Sequence, residues 1–217
     1  MTGWWVHELW QNGQGTELVS WIFWVIAAIT LHELAHGWAA IYEGDDTPIT
    51  TGHMTANPIV HMGVPSIVVF LLLGIAWGLM PINPYRFRHG KWGRILVSAA
   101  GPVMNLVLAF ITLTILAFVI DLEGEQTDLT IFLFTGGFLN LVLFAFNLLP
   151  IPPLDGSVIL SNLSPTVARW YSHPQAGIAG LLFLLFLIWT NAASFAFMLA
   201  HQVAGAYVGI LYTLFSS

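Results

Sequence analysis

Residues 18–42 read LVSWIFWVIAAITLHELAHGWAAIY, and Glu33 is the only Asp, Glu, Lys or Arg in this stretch. A helix needs about 20 apolar residues to cross the core of a bilayer, so the stretch predicts a membrane-spanning helix. Four further stretches carry none of these four residue types: 62–85, 95–120, 129–154 and 174–217. We expect the last to form a helical hairpin with a break at 190–194. The sequence predicts an all-α integral membrane protein, a bundle of five to six transmembrane helices.

The overall composition agrees with a protein of the bilayer. Hydrophobic residues make up 57% of the 217 residues and charged residues 7%, against about 25% charged in a soluble domain. Five basic residues are too few to neutralise a run of phosphates, which argues against a nucleic-acid partner. The chain has no cysteine, so any metal must be bound by histidines and carboxylates.

The first stretch contains the sequence His32-Glu33-Leu34-Ala35-His36. Positions i and i+4 lie on one face of a helix, so both imidazoles can bind one metal ion with Glu33 beside them. An ionised group in mid-bilayer costs about 3 kcal/mol, and a metal gives a reason for three ionisable residues in one turn. The alternatives are hydrogen bonds within the bundle or a buried cation beside Glu33. No hydrophobic stretch contains a Lys or Arg to act as that cation.

The same tripeptide occurs once more, as His7-Glu8-Leu9. It lacks the second histidine, because position 11 is Gln11. Its tryptophan-rich surroundings are typical of a membrane interface, so we interpret it as interfacial surface.

A catalytic zinc site takes three protein ligands and leaves one position for water, so a third ligand must lie elsewhere in the chain. Asp155 ends the segment NLLPIPPLD of residues 147–155. Its three prolines prevent a continuous helix, and irregular backbone at membrane depth usually lines a cavity. Asp155 could instead cap a helix. Together with the two histidines, it becomes the expected third ligand.

Three motifs resemble the site-2 protease family of intramembrane zinc metalloproteases: HELAH at 32–36, GPVMN at 101–105 and the segment 147–156 that ends in Leu-Asp-Gly. The resemblance implies that His32, His36 and Asp155 bind one zinc ion per chain and that Glu33 is the catalytic base. It also implies a contact between Asn147 and the substrate. Residues 44–47 and 51–61 look like the compact members without an inserted PDZ domain.

The resemblance implies cleavage of a transmembrane protein or peptide substrate within the lipid bilayer. An amide donor from Asn147 or Asn105 would then help to stabilise the oxyanion. We expect a single domain over 1–217, with a catalytic core at about 17–160 and the helical hairpin at about 174–217. Family members often continue Leu-Asp-Gly with Gly and a basic residue, whereas this chain has Ser157 and Val158.

The basic residues define the expected orientation in the membrane. All five basic residues lie in two loops. One loop precedes the stretch 95–120 and the other follows the stretch 129–154, and the positive-inside rule places both loops in the cytoplasm. If residues 62–85 crossed the membrane, the two histidines and Asp155 would lie in opposite halves. We therefore expect a re-entrant or oblique segment at 62–85 and an amino terminus outside. An ordinary spanning helix is the alternative, because the stretch is long enough.

Residues 49–54 are a candidate for a short membrane-associated β-hairpin whose edge could pair with an unwound substrate; a plain loop is the alternative. Three rival functions remain open: a membrane zincin with a distal glutamate ligand (Glu43, Glu123 or Glu125), a metal transporter and a catalytically silent zinc scaffold. We interpret the remaining histidines of the loops and tail as polar interface residues and not as metal ligands: His53, His61, His89, His173 and His201.

Overall fold

The structure is a computed structural model that describes residues 5–123, 127–190 and 194–215. These residues contain ten α-helices and no β-strand. In chain order the helices are α1 (Trp5–Gln11), α2 (Gly15–Tyr42), α3 (Thr47–Thr50), α4 (Pro58–Leu73), α5 (Lys91–Glu123), α6 (Asp128–Asn147), α7 (Asp155–Leu163), α8 (Pro165–Tyr171), α9 (Ala176–Trp189) and α10 (Ser194–Phe215).

Four of these helices, α2, α5, α6 and α10, are long and apolar enough to cross a membrane. The helices α8 and α9 together would make a fifth span, although they are bent by 88° where they meet. The all-α membrane bundle predicted from the sequence is confirmed, at the lower end of the expected number of spans. The predicted break at 190–194 includes residues 191–193, which lie outside the described residues.

The core forms where α2, α5 and α6 pack against one another. Small residues allow the close approach of α2 and α6, because a side chain on Gly136 would overlap the Trp24 ring. The Trp24 indole donates a hydrogen bond of 2.8 Å to the Phe132 carbonyl of α6. This packing fixes the face of α2 that carries the two histidines.

The stretch 62–85 does not form a continuous spanning helix. Helix α4 is kinked at Gly63, where φ is 69°, and it ends at Gly74 in the left-handed conformation. Residues 75–83 are neither helix nor strand and run back towards the end of α2. The Asn83 amide reaches Asp45, two residues beyond the C-cap of α2, at 2.6 Å. The prediction that residues 62–85 do not form an ordinary spanning helix is therefore confirmed, and the return to α2 agrees with a re-entrant or oblique segment.

The predicted strand edge at residues 49–54 is wrong. The structure has the short helix α3 followed by a turn there. Pro48 occupies the first turn of α3, where its missing N–H group costs no hydrogen bond. The Asp45 carboxylate accepts a hydrogen bond of 3.1 Å from the Thr47 amide and so stabilises the helix start.

Two buried carboxylates, Asp45 and Glu43, hold the loop before α5 against the end of α2. Glu43 accepts hydrogen bonds from the His89 amide at 3.0 Å and from the His89 ring at 2.9 Å. Burial raises the pKa of the Glu43 carboxyl, but the hydrogen bonds from His89 outweigh this effect and leave the pKa below its usual value. Glu43 is thus ionised at neutral pH, where it fixes the loop that leads into α5.

The C-terminal helices contact the loop that precedes α7. The Tyr171 hydroxyl of α8 donates a hydrogen bond to the Pro150 carbonyl. Gly180 of α9 lies so close to the Pro152 carbonyl that a side chain there would overlap it. The loop that leads to Asp155 is therefore held from the side of α8 and α9.

Candidate metal centre

Helix α2 places His32 and His36 on one face, and α7 begins opposite them with Asp155. The two Nε2 atoms are 3.0 Å apart. Asp155 Oδ2 lies 3.2 Å from Nε2 of His32 and 3.4 Å from Nε2 of His36. Within the described residues, these three side chains are the one group of three or more His, Cys, Asp or Glu residues that could hold a metal ion.

Each imidazole ring is oriented by a hydrogen bond at its Nδ1 atom. His32 Nδ1 lies 2.6 Å from Asn105 Oδ1, and His36 Nδ1 lies 2.7 Å from the Val97 carbonyl oxygen. Both partners are acceptors, so each Nδ1 carries the proton and each Nε2 presents its lone pair to the centre. Such partners are typical of metal-binding histidines, because they fix the tautomer and the ring orientation.

Gly101 leaves the space in which the ligand atoms meet. A Cβ atom at this position would lie 2.5 Å from His32 Nε2 and would also overlap His36 Nε2. Even alanine would therefore fill the point where the two lone pairs converge. The free volume and the donor set of two imidazoles and one carboxylate both fit a catalytic zinc ion.

Hydrogen bonds through two asparagines connect His32 to α6. Asn105 Nδ2 donates to Asn140 Oδ1 at 3.0 Å, and Asn140 Nδ2 donates to the Gly136 carbonyl at 2.9 Å. Both asparagines are fully buried. The Asn105 amide is thus bonded to protein groups at both ends, which differs from the expected role as a free oxyanion donor. Asn140 was not singled out from the sequence, although an amide in a membrane-spanning stretch is a usable signal.

Glu33 lies beside the ligands and is covered by the chain that returns from α4. The residue is 8% exposed. A Cβ atom on Gly78 would lie 2.5 Å from Glu33 Oε1, so the backbone of residue 78 packs directly on the carboxylate. One turn further along α2, Met54 and Met80 pack on Gly37. These contacts leave Glu33 close to the metal group and largely shielded from bulk water.

The positions of Asp155 and Glu43 decide between the alternatives that the sequence left open for them. Asp155 does not cap α7, because the N-cap residue is Leu154 and Asp155 faces the histidines. Glu43 is bound by His89 and does not belong to the metal group. Of the other two distal glutamates, Glu125 and the side chain of Glu123 lie outside the described residues.

Asn147 ends α6, a few residues before the proline segment. Its Nδ2 donates a hydrogen bond of 3.0 Å to the Leu143 carbonyl in the same helix. Its Oδ1 has no hydrogen-bond partner within the described ranges. The role of Asn147 at the substrate stays a prediction.

Known proteins are similar to this chain in sequence. Residues 119–190 match the model of peptidase family M50. The "Putative zinc metalloprotease YwhC" of Bacillus subtilis is 40% identical over 177 residues, which cover 79% of this chain and 80% of YwhC. The chain belongs to peptidase family M50. This is the family of site-2 proteases, so the resemblance found in the three motifs is confirmed.

A further relative is more distant. The "Putative zinc metalloprotease Rip2" of Mycobacterium tuberculosis strain H37Rv is 29% identical over 199 residues, which cover 88% of this chain and 70% of Rip2. A comparison with solved structures gave no significant match. This M50 peptidase is a multi-pass membrane metalloprotease with zinc as its metal.

Proposed function

We propose that this M50 peptidase cleaves spanning segments of other membrane proteins within the bilayer, with His32, His36 and Asp155 as zinc ligands and Glu33 as the catalytic base. The observation that carries the proposal is the position of the metal group within a spanning helix. His36 lies six residues before the end of α2 at Tyr42, or about 9 Å at 1.5 Å per residue. A substrate must therefore reach the site inside the membrane.

An apolar groove leads to this position along the exposed face of α2. Its volume is about 570 Å³. The helix contributes residues that repeat every three or four positions and end at Leu31, next to the first histidine: Val19, Ile22, Phe23, Ile26, Ala27, Thr30 and Leu31. Ala56 and Pro58 form part of the opposite wall. An apolar substrate helix fits such a groove better than a soluble, charged peptide does.

The returning chain at residues 75–83 offers a place for the substrate once it is unwound. Trp77 bonds through both its backbone groups to the Ser66 hydroxyl, at 2.9 Å and 2.7 Å. The Leu79 amide bonds to the His61 carbonyl at 2.9 Å. Between them, the backbone groups of Gly78 have no hydrogen-bond partner in the part of the chain that the structure describes.

The same is true of Met80, two residues further on. Bonding at every second residue is the pattern of an extended chain with one edge in use and the other edge free. An unwound substrate segment can pair with that free edge. The edge passes over Glu33 at Gly78 and thus brings the paired peptide to the base.

The chain's own residues then carry out the proton transfers. Glu33 accepts a proton from the attacking water and later returns a proton to the leaving amine, as a general base and acid. Zinc supplies Lewis-acid activation of the water and of the scissile carbonyl. The backbone over Glu33 excludes bulk water and keeps the carboxylate directed at the reacting atoms. Asn147 Oδ1 is free to contact the substrate on the side of Asp155.

The test is cleavage of a single-span model protein in liposomes by the purified enzyme and by Glu33→Gln. We expect cleavage by the wild type alone, zinc in both proteins and a cut site within the spanning segment by mass spectrometry. A second substrate has three residues inserted before the span. The cut should follow the depth in the membrane and not the residue number. Cuts confined to segments outside the bilayer would overturn the proposal.

A further inference from the structure

His61 is buried in the first turn of α4, and one of its two ring nitrogens has no hydrogen-bond partner among the described residues. Its exposed fraction is 2%. Nε2 lies 2.7 Å from the Thr55 carbonyl oxygen. Because a carbonyl oxygen only accepts, Nε2 carries the proton and Nδ1 of the neutral ring is a bare acceptor. Nδ1 has no hydrogen bond to any described residue, which is rare for a buried polar atom.

The backbone of His61 holds the free edge next to the point where the edge contacts the catalytic base. The His61 carbonyl holds the Leu79 amide at 2.9 Å. The preceding residue, Gly78, packs on Glu33. His61 is therefore bonded to the edge along which we place the substrate, one residue from the contact with the base, and it does not belong to the metal group.

We propose that His61 is a positioning residue whose Nδ1 accepts a hydrogen bond from a backbone N–H of the unwound substrate. This proposal rests on the proposed function and assigns a further residue to its substrate site. Unwinding a helix frees backbone N–H groups, and inside a membrane each one needs an acceptor from the protein. An unpaired acceptor on the residue that holds the edge meets that need where we place the unwound substrate.

Two substitutions separate this role from a structural one. In asparagine the side-chain oxygen lies two bonds from Cβ, as Nδ1 does, so His61→Asn keeps an acceptor there and loses the bond to Thr55. In glutamine the amide nitrogen lies three bonds from Cβ, as Nε2 does, so His61→Gln keeps the bond to Thr55 and loses the acceptor. We expect at least a tenfold fall in kcat/KM for His61→Gln and a smaller fall for His61→Asn. The reverse order would overturn the proposal.

The neighbouring His53 provides the matched control. Its ring centroid is 6.4 Å from that of His61, but its Nδ1 is bonded locally to Thr51 at 3.0 Å. His53→Gln should leave kcat/KM within about twofold of the wild type. Zinc content and thermal stability, measured for every variant, identify a variant that has lost its fold.

An ester scan of a synthetic single-span peptide identifies the hydrogen bond itself. Each amide near the cut is replaced in turn by an ester, which removes one N–H. We expect one ester to slow cleavage by the wild type and to add nothing in His61→Gln. Effects that multiply at every position would overturn the proposal, because no N–H would then depend on His61.

Binding to the inactive enzyme tests His61 apart from cleavage. The same peptide is titrated into Glu33→Gln, with and without His61→Gln, in bicelles. Weaker binding with His61→Gln supports the proposal even if the wild type fails to cut, an outcome that would overturn the proposed function alone. Equal binding would overturn the role of His61 while cleavage by the wild type stands. A peptide that binds neither protein would overturn both.

Discussion

The tripeptide His-Glu-Leu occurs at residues 7–9 and again at 32–34, and the structure gives the two copies different surroundings. The first copy lies in α1, a helix of seven residues with none buried. In the second copy His32 is 6% exposed and both its ring nitrogens have protein neighbours, Asn105 at Nδ1 and Asp155 at Nε2. The difference is that α5 and α7 supply partners to the second copy, where the three side chains could hold a metal ion.

The largest effect should come from the glutamate of the second copy and not from that of the first. Glu33→Gln removes the proton acceptor and should lower kcat by about 10²–10⁴-fold, the usual range for a general base. Zinc should remain bound, because Glu33 is not one of the ligands. Glu8→Gln, the matched change in α1, should leave kcat within about twofold. Initial rates and metal analysis of both proteins check the prediction, and equal losses in both would contradict it.

The next largest effect should come from filling the space in which the ligand atoms meet. The first copy, in α1, has no such space among the described residues. Gly101→Ala places a methyl group against His32 Nε2 and His36 Nε2. We expect zinc affinity to fall by about 100-fold, the upper end of what disturbed supporting groups cost. Gly205→Ala is the control, since no atom lies within 4 Å of a Cβ there. Competition with a zinc chelator measures both, and unchanged affinity in Gly101→Ala would show that the ligands meet elsewhere.

A smaller effect should come from the amide that orients His32. Asn105→Ala removes the acceptor for His32 Nδ1 and should weaken zinc binding by about tenfold, near the lower end of that range. Asn162→Ala is the matched change, because the Asn162 amide donates to Val158 in its own helix. The same chelator titration compares them. Equal affinities in these two variants would exclude Asn105 as a support of the metal site.

The smallest effect should follow from completing the first copy. Gln11→His turns residues 7–11 into a second His-Glu-x-x-His sequence at an exposed position. We expect metal analysis to give one zinc per chain, as in the unmodified protein, because α1 has neither a third ligand nor groups that orient its rings. Two zinc ions per chain would show that the sequence spacing alone is sufficient.

The sequence was sufficient for the parts of the site that depend on local spacing. His32 and His36 are one turn apart, and the proline segment before Asp155 indicated irregular backbone at membrane depth. The re-entrant path of residues 62–85 followed from the need to bring these residues to one side of the membrane. Each of these predictions rests on a constraint that a single segment or the bilayer imposes.

The parts that depend on contacts between distant segments could not be predicted in the same way. The bond between Asn105 and Asn140 joins α5 to α6, and the contact of Gly78 with Glu33 joins the returning chain to α2. The strand edge expected at residues 49–54 failed because Asp45 and Pro48 favour a helix start there. Backbone groups without partners among the described residues lie instead at Gly78 and Met80, in a stretch for which the sequence predicted only a re-entrant or oblique path.

The contact between Gly180 and the Pro152 carbonyl has a consequence for how the enzyme is coupled to its surroundings. It attaches the loop before Asp155, a proposed zinc ligand, to α9, a helix that is otherwise mostly exposed in this chain. The main chain of α9 therefore lies directly against this loop, three residues before Asp155. A bulky residue at position 180 would push α9 and the loop apart, so the geometry around Asp155 is tied to a helix that contributes none of the three grouped side chains.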